Sequence, residues 1–459
     1  MVEMRLAHRL FVFTGLGAIA IAFTAHKPAS AVPSFAQQTG QPCMSCHVGS
    51  FGPQLTPFGR EFKLQGYTLR TNSFNLPLSA MAVASYTSTR RPQAGVPAPG
   101  FSDNNNVAFD QGSIFLAGGI GSHFGGFVQT TYDGVAKAWS WDNLDLRAVG
   151  TGTIGGKNLL YGLTLNNGPS IQDVWNTLPA WGYPYTDSAL APGPASAPLI
   201  SGALAQNVIG ASAYAWVDSK FYIEAGGYTT PAAGTLRWLG ADPLDPGDIH
   251  GFAPYGRLAL QTDVAGGTFE AGAFALKAAL WPGRDRSSGY TDRYSDIGVD
   301  ASWIKPLKSD TLTLNGRYTH EKQSLNATCA LGMMDGSIEP GPLADCADGT
   351  LNEARADASY YWRNAIGASI SAFDVSGSHN PIIYASNRAF RPNSSGLQFQ
   401  LDGTPFGRSK SPLGPRFNMR VGIQYTVYTK FDGARLNYDG TGRNASDNNT
   451  LRVFTWLAF

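Results

Sequence analysis

Phe417-Asn418-Met419-Arg420-Val421-Gly422-Ile423-Gln424-Tyr425-Thr426-Val427 is the stretch that decides the fold. Every second residue from Phe417 is apolar, and most of the residues between them are polar or charged. This period of two predicts a β-strand with one face in lipid and the other toward a wet lumen. The stretches 311–319 and 158–166 alternate in the same way, so the pattern recurs along the chain.

The composition favours an outer-membrane β-barrel over a soluble enzyme. Of the 459 residues only 15% are charged, 12% are aromatic, and glycine occurs 54 times. No segment after the N-terminus has the long apolar run of a transmembrane helix, and a net charge of +1 offers no basic field for nucleic acid. The chain ends on Phe459, which is similar to the end of bacterial outer-membrane proteins. A secreted all-β sandwich or propeller is the alternative.

Strand-like segments number about sixteen, an even number as single-chain bacterial barrels require. Short connections alternate with much longer ones, as periplasmic turns alternate with external loops. The connection 403–416 is too long for a turn, which leaves open that one strand is misplaced. The predicted strands begin near Leu76, Asp110, His123, Trp139, Lys157, Gln206, Lys220, Ala253, Gly267, Thr291, Asp310, Leu351, Gly367, Gly396, Phe417 and Thr450.

Residues 1–31 have the features of a cleavable export signal. Basic residues precede the apolar run 10–25, and Ala29-Ser30-Ala31 is a small-residue cleavage site. The mature chain is predicted to start near Val32, with an uncleaved membrane anchor as the alternative, although the run is short for one. An export signal on a chain that forms a β-barrel predicts that the protein lies in the outer membrane, in contact with its lipid.

Cys43-Met44-Ser45-Cys46-His47 is a C-x-x-C-H sequence, the attachment motif of a c-type haem. The thiols of Cys43 and Cys46 would add to the haem vinyl groups, and His47 would ligate the iron. A redox or zinc C-x-x-C with a chance histidine is the alternative, which export disfavours because this haem is attached outside the cytoplasm. One covalent haem c is the predicted cofactor, and electron transfer the predicted activity.

The segment 32–72, which carries this motif, is predicted to form loops and a short helix. Thr56 can cap the helix, Pro57 suits its first position, and Gly66 ends it. A segment of about forty residues is too small for an adequate core, so the haem and a surrounding wall must supply apolar contacts. We therefore predict a plug inside a barrel formed by residues 73–459, with a free periplasmic cytochrome domain as the alternative.

The haem iron usually needs a second axial ligand, for which Met81 is the first candidate. Met81 follows the plug closely and shares strand parity with Ser79 and Ser85, which are predicted to face the lumen. Packing within the wall is its alternative role. His123, beside a predicted periplasmic turn, is the second candidate. Other histidines, predicted in outer loops or at strand ends where they could meet incoming metal, are His250, His320 and His379.

Two predicted external connections have distinctive residues. Cys329 and Cys346 lie in a connection rich in glycine and proline and have no following histidine, so they do not form another haem site. A disulfide between them fits the oxidising compartment, whereas a metal site would need more ligands nearby. The connection 168–204 is rich in proline, alanine and aromatic residues, and is predicted either to fold over or into the mouth or to be a solvated loop.

The residues around the motif resemble the fused cytochrome-porin family of outer-membrane iron oxidases. The resemblance implies a monohaem cytochrome plugged in a sixteen-stranded porin, an oxidoreductase that oxidises Fe(II) outside the cell and passes the electron to a periplasmic cytochrome or copper protein. The resemblance is specific up to about Tyr228, and beyond that residue it rests mainly on the architecture. The stretches that carry it are 32–43, 47–60, 62–67, Gly125-Gly126-Phe127-Val128-Gln129, Thr131-Tyr132-Asp133, Trp141-Asp142-Asn143, Asp145-Leu146-Arg147, Asn166-Asn167 and Asp173-Val174-Trp175-Asn176-Thr177.

Two classes of function remain open. In the first, Fe(II) gives an electron to the haem, and the barrel insulates the haem from lipid. In the second, the protein is a passive porin or adhesion barrel whose cytochrome serves another purpose, such as conducting electrons to an extracellular partner. The reduction potential of the haem and the identity of its partners decide between these classes, and no motif in the sequence indicates either.

Overall fold

A computed structural model of the chain describes residues 33–71, 77–175, 177, 184–406, 411 and 417–459. Its strands form one antiparallel sheet, in which each long strand pairs with the next long strand and the last pairs with the first, so the sheet closes into a barrel. Seventeen strands contribute, but one of them has only two residues, which leaves sixteen long strands. The strands are β1 (Leu78–Thr89), β2 (Asn106–Ile120), β3 (Phe124–Asp133), β4 (Ala138–Ile154), β5 (Lys157–Asn166), β6 (Ile209–Val217), β7 (Phe221–Thr229), β8 (Asp248–Ile249), β9 (Ala253–Val264), β10 (Gly267–Trp281), β11 (Asp292–Leu307), β12 (Asp310–Leu325), β13 (Asp348–Trp362), β14 (Ile366–Gly377), β15 (Ser394–Gly403), β16 (Asn418–Lys430) and β17 (Thr450–Ala458).

The predicted barrel of sixteen strands is confirmed. The largest difference between a predicted and an observed strand start is four residues, at Asp110 and Asn106. Although the connection 403–416 is long, β15 pairs directly with β16 and brings Gly403 opposite Val421, so no strand lies between them in the sheet that the structure describes. A period of two in the sequence was therefore enough to place every long strand.

Burial alternates along the strands as the period of two requires. In β16, Asn418 and Arg420 face the lumen and are 0% and 2% exposed, whereas Val421 and Ile423 face outward and are 39% and 43% exposed. The outward side chains of the other long strands are likewise mostly apolar. A closed barrel with an apolar outer face is the architecture of a bacterial outer-membrane protein, and this protein is located in the outer membrane.

The two ends of the barrel differ in their connections. Turns of two or three residues join most strands at one end, for example 121–123 and 265–266, with the connection 404–417 as a longer exception, and mostly long loops join the strands at the other end. The chain enters β1 and leaves β17 at the turn end, where Ala80 and Phe459 exchange two backbone hydrogen bonds of 2.8 and 3.1 Å. Short turns face the periplasm in such barrels, so we call this the periplasmic end.

The helices are short and lie in the N-terminal segment and the loops. Among the described residues, no helix is long and apolar enough to cross a membrane. The predicted export signal lies outside the described residues. The helices are α1 (Pro33–Thr39), α2 (Cys43–Cys46), α3 (Pro57–Leu64), α4 (Pro169–Gln172), α5 (Ala233–Trp238), α6 (Asn326–Asp335) and α7 (Leu343–Ala347).

The N-terminal segment, residues 33–71, lies inside the barrel, and we call it the plug. Tyr67 donates a hydrogen bond of 2.6 Å from its hydroxyl to the Asp145 carboxylate on β4. On the other side, Arg60 Nη2 donates to the Ser302 hydroxyl on β11 over 3.0 Å. Since the plug has partners on distant parts of the ring, it fills the lumen, and a free periplasmic domain is not what the structure describes.

The plug helix α3 forms for the reasons that the sequence indicates. The Thr56 hydroxyl accepts a hydrogen bond of 3.1 Å from the Gly59 backbone N–H, and Pro57 occupies the first helical position. Gly66, just beyond the helix, has a positive φ of 65°. This left-handed conformation favours glycine and turns the chain back toward the wall.

The connection between β5 and β6 folds into the lumen from the external end. Trp175 is 3% exposed there. Further along, the backbone N–H groups of Leu199 and Ile200 donate to Glu321 and Asp296 on the wall, over 2.6 and 2.8 Å. Of the alternatives left open for this connection, its described residues show the fold into the mouth and not the solvated loop. We call its described residues, 167–175, 177 and 184–208, the inner loop.

Cys329 and Cys346 are joined in a disulfide between α6 and α7, with their Cα atoms 6.0 Å apart. Both residues are fully buried in a small apolar cluster of the connection between β12 and β13. The disulfide therefore lies in a long loop at the external end of the barrel.

Candidate functional site

A cavity of about 390 Å³ lies between the plug and the wall near the periplasmic end. Cys43, Cys46 and His47 line it from the plug. Met81 on β1 and Trp456 on β17 line it from the wall. The C-x-x-C-H motif and the candidate second ligand, which are 34 residues apart from His47 to Met81, therefore share one cavity.

Backbone hydrogen bonds fold the motif into a compact unit. The His47 N–H donates to the Cys43 carbonyl, and the Thr56 N–H to the Cys46 carbonyl, each over 2.9 Å. Helix α3 approaches the motif so closely that a Cβ on Gly59 would lie 2.3 Å from the Cys46 carbonyl oxygen. Glycine at this position therefore allows the helix and the motif to pack together.

The two thiols are free and oriented by the wall. Cys43 is buried and Cys46 is partly exposed. Asn418 on β16 donates from Nδ2 to Cys43 Sγ over 3.5 Å and to the Ser50 carbonyl over 3.0 Å. Asn418 was not among the site residues suggested by the sequence, although its inward parity beside Phe417 was visible there.

The imidazole of His47 has a nitrogen that no protein group satisfies well. Its ring lies beside the backbone of Gly52, but the buried Nδ1 makes no hydrogen bond of acceptable geometry with any described residue. His47 also lines the cavity, where a neutral imidazole can use the lone pair of one ring nitrogen to bind a further group.

Met81 lies where its parity predicts. Ser79, Val83 and Ser85 face inward beside it and are each 5% exposed or less. The Met81 sulfur accepts a hydrogen bond of 3.2 Å from Trp456 Nε1. The structure thus brings Met81 to the cavity, and its role as a ligand stays a prediction.

The other candidate histidines lie elsewhere. His123 is exposed in the turn between β2 and β3, where its Nδ1 is 3.1 Å from the Val149 carbonyl, and it does not line the cavity. His250 packs on Trp281 and His379 on Phe390, both near the external loops. In addition, the described residues contain no group of three or more His, Cys, Asp or Glu side chains placed to hold a metal ion.

The lining of the cavity contains both apolar and polar residues. The polar residues come from the plug, β2, β3, β4 and the inner loop, and include Gln111, Asn143 and Asp187. A haem has an apolar macrocycle and a carboxylate edge, so a mixed lining suits it. Two free thiols, a histidine and a thioether that line the same cavity also suit a covalent haem. The phenylalanine and tryptophan residues of the lining are Phe35, Phe51, Phe62, Phe115, Phe127 and Trp456.

Buried ion pairs join the inner loop to the wall, and hydrogen bonds join the plug to the inner loop. Arg257 on β9 lies 3.1 Å from Glu270 and 2.8 Å from Asp300, and 4.0 Å from Asp173 of the inner loop. Lys63 of the plug donates from Nζ to the carbonyl of Asp173 over 2.9 Å, and also to that of Ile171. Charge and hydrogen bonding thus position the plug independently of any cofactor.

No family model matches this chain. No curated protein matches it either. Among solved structures, it is similar to OmpF of Salmonella typhi in complex with daunomycin, with a TM-score of 0.44 and 12% identity over 85% of this chain and 100% of that chain. It is also similar to the outer-membrane channel DcaP of Acinetobacter baumannii, with a TM-score of 0.43 and 10% identity over 83% of this chain and 96% of that one. A third is an anion-selective porin from Comamonas acidovorans, with a TM-score of 0.42 and 12% identity over 83% and 98% of the two chains.

Proposed function

We propose that this outer-membrane barrel binds one covalent haem c and transfers electrons between an extracellular donor and a periplasmic carrier. One observation carries the proposal: the C-x-x-C-H motif lines a cavity together with a methionine from the wall. A motif that occurred by chance would have no reason to face a cavity of this chemistry. The passive-porin alternative rests on the barrel architecture alone.

Each site residue has a distinct role in this proposal. Cys43 and Cys46 would form the thioether bonds, His47 would ligate the iron, and Met81 is the candidate second ligand. A haem bound there would supply a one-electron redox centre. Asn418 holds the first thiol in position through its hydrogen bond to Cys43 Sγ.

The plug and the wall would insulate the site from lipid and water. Plug residues Val48 and Leu64 are 1% and 0% exposed because wall side chains cover them. The same contacts keep the motif at a fixed depth. A protein with this arrangement holds its redox centre inside the membrane without exposing it to the hydrocarbon.

The site lies nearer the periplasmic end than the external end. Asn418, which contacts the motif, is the first residue of β16 and pairs with Ala458, the last residue of β17. An apolar band of such a barrel is about 25 Å tall, which exceeds the width of one haem. The acceptor is therefore expected to dock at the periplasmic mouth, and the external donor to enter from the side of the long loops.

The donor and the direction of transfer come from the resemblance to the cytochrome-porin family. They are Fe(II) outside the cell and a small periplasmic cytochrome or copper protein inside. Transfer outward to an extracellular acceptor is the alternative within the same architecture. The reduction potential of the haem decides the direction.

The proposal is tested by adding Fe(II) to the purified protein at acidic and at neutral pH and following its visible spectrum. We expect haem bands that change from the oxidised to the reduced form. A Cys43→Ala/Cys46→Ala variant is the control and should show no such bands. Wild-type protein without haem that conducts ions like an open porin would instead support the passive alternative.

A further inference from the structure

Trp456 and Met81 meet across the seam where the barrel closes. Met81 is on the first strand and Trp456 on the last, and the two residues are 375 positions apart. In the register of this seam, Trp456 is opposite Val83 and Met81 is opposite Ala458. Their contact is therefore a diagonal one on the lumen face, and the indole N–H reaches the thioether sulfur over 3.2 Å.

This hydrogen bond restricts a side chain that is otherwise adaptable. Methionine has three rotatable bonds and commonly fills irregular gaps, so its sulfur has no fixed position of its own. An indole N–H can only donate, and the sulfur accepts only weakly. Donation to one lone pair of Met81 Sδ fixes the sulfur and leaves its second lone pair for another partner. The cavity that also contains His47 is the open space beside it.

Trp456 is itself held by the segment that carries the motif. The Phe51 ring packs edge-on against the Trp456 ring, with centroids 5.0 Å apart and planes at 84°. Phe51 is 3% exposed and Trp456 8% exposed, so the pair is buried. One indole thus contacts both the loop that follows His47 and the candidate ligand on the opposite side.

We infer that Trp456 is a positioning residue that holds the Met81 sulfur for axial ligation and raises the reduction potential of the haem. The inference rests on the proposed function. Hydrogen bonds that other residues make to metal ligands orient those ligands and change the reduction potential of the metal. An N–H donor on the thioether withdraws electron density from it, so the sulfur stabilises the oxidised iron less, and the potential rises.

The test is a comparison of Trp456→Phe, Met81→Ala and the double variant in the haem-loaded full-length protein. Phenylalanine keeps a ring against Phe51 but removes the N–H. We expect Trp456→Phe to retain haem, to lower the midpoint potential and to weaken the sulfur-to-iron charge-transfer band of the oxidised protein. Met81→Ala should lose the band and lower the potential further. The double variant should equal Met81→Ala, because Trp456 acts through Met81.

A matched control separates positioning from packing. Trp216 is also a buried lumen-facing tryptophan, 5% exposed, but does not line the cavity. Trp216→Phe should leave the potential and the band unchanged. Heat-modifiable mobility on a gel and the haem content of each variant check that the barrel has assembled.

Three results would overturn the inference, and they differ in what else they affect. If Met81→Ala loses the band but Trp456→Phe leaves both readouts at wild-type values, Met81 is the ligand and Trp456 only packs. If Trp456→Phe shifts the potential equally in the Met81→Ala background, Trp456 acts on the haem independently of Met81. If Met81→Ala itself changes neither readout, the ligand assignment in the proposed function fails together with the inference.

Discussion

In the barrel wall, every long strand is hydrogen-bonded along its length to two neighbours, whereas the plug consists of loops and helices of seven, four and eight residues. The backbone N–H and C=O groups of the wall strands form their hydrogen bonds within one sheet. The plug has a small aromatic cluster, in which Phe35 packs on Phe62 and Tyr67 at 5.0 and 5.1 Å, but the other faces of this cluster contact the wall. The wall is thus a complete fold, and the plug is completed by its surroundings.

This difference separates stability from function. A chain of about forty residues buries too little surface to fold alone, so the plug depends on the wall for its apolar contacts. The wall does not depend on the plug in the same way, because its lipid-facing side chains and its closed sheet do not involve residues 33–71. The residues proposed for the chemistry therefore lie mainly in the plug, which depends on the wall. The scaffold is the wall, which does not depend on the plug.

Deleting residues 33–71 is the strongest way to break the comparison. We expect the wall to assemble without the plug, all haem binding to be lost, and ionic conductance to rise because the plug no longer occupies its part of the lumen. Heat-modifiable mobility on a gel and planar-bilayer conductance are the measurements. A deletion variant that fails to assemble would show that the wall is not independent.

Removing both thiols tests the same division with a smaller change. Cys43→Ala/Cys46→Ala should lose all covalent haem while export and barrel assembly continue, since neither thiol supports the sheet. Haem staining of a denaturing gel is the readout. Cys329→Ser/Cys346→Ser, which removes the two cysteines of the external loop, should keep its haem. Staining that survives in the first variant would reject the haem assignment.

Lys63→Met tests whether hydrogen bonds join the plug to the inner loop. Lys63 Nζ donates to two inner-loop carbonyls, and methionine leaves both without this donor. Hydrogen bonds to a charged group are worth about 1.5–3 kcal/mol each, so the contact should loosen markedly. Faster protease cleavage of the inner loop in the intact barrel is the expected result. Lys157, the exposed first residue of β5, changed to Met, is the control and should leave the cleavage rate unaltered.

Gly59→Ala should have the smallest of these effects. Overpacking costs about 1–3 kcal/mol, and the added methyl would overlap the Cys46 carbonyl oxygen. Alanine would also gain up to about 1 kcal/mol of helix propensity, so a modest net loss is expected. The fraction of protein that carries haem should fall, while Gly234→Ala, where no atom lies within 4 Å of the new Cβ, should not change it. An unchanged haem content in Gly59→Ala would mean that α3 can shift without disturbing the motif.

The sequence predicts the wall well because strand alternation is a local signal. In β5, for example, Tyr161 and Leu163 are 49% and 60% exposed, as their alternation indicates. β17 alternates less cleanly since its inward residues Phe454 and Trp456 are apolar and cover the plug. The exception has a physical reason, which is that part of the lumen surface faces protein rather than water.

The site could be predicted only in part. The haem motif and the parity of Met81 are local features, and both appear in the sequence. The contacts of Asn418 and Trp456 with the site depend on how the barrel closes on residues more than 370 positions away, as the separations of 375 show. The inward fold of the inner loop was left open too, because irregular segments held by single hydrogen bonds have no periodic pattern.

The most direct test of the account is vectorial electron transfer through the oriented protein in sealed vesicles. Fe(II) is added on the side of the long loops, and an oxidised soluble electron carrier is enclosed on the periplasmic side. We predict that the carrier becomes reduced with wild-type protein and stays oxidised with Cys43→Ala/Cys46→Ala. If the enclosed carrier stays oxidised with the haem-loaded wild-type protein, or is reduced equally by the variant, the barrel does not transfer electrons through the proposed site.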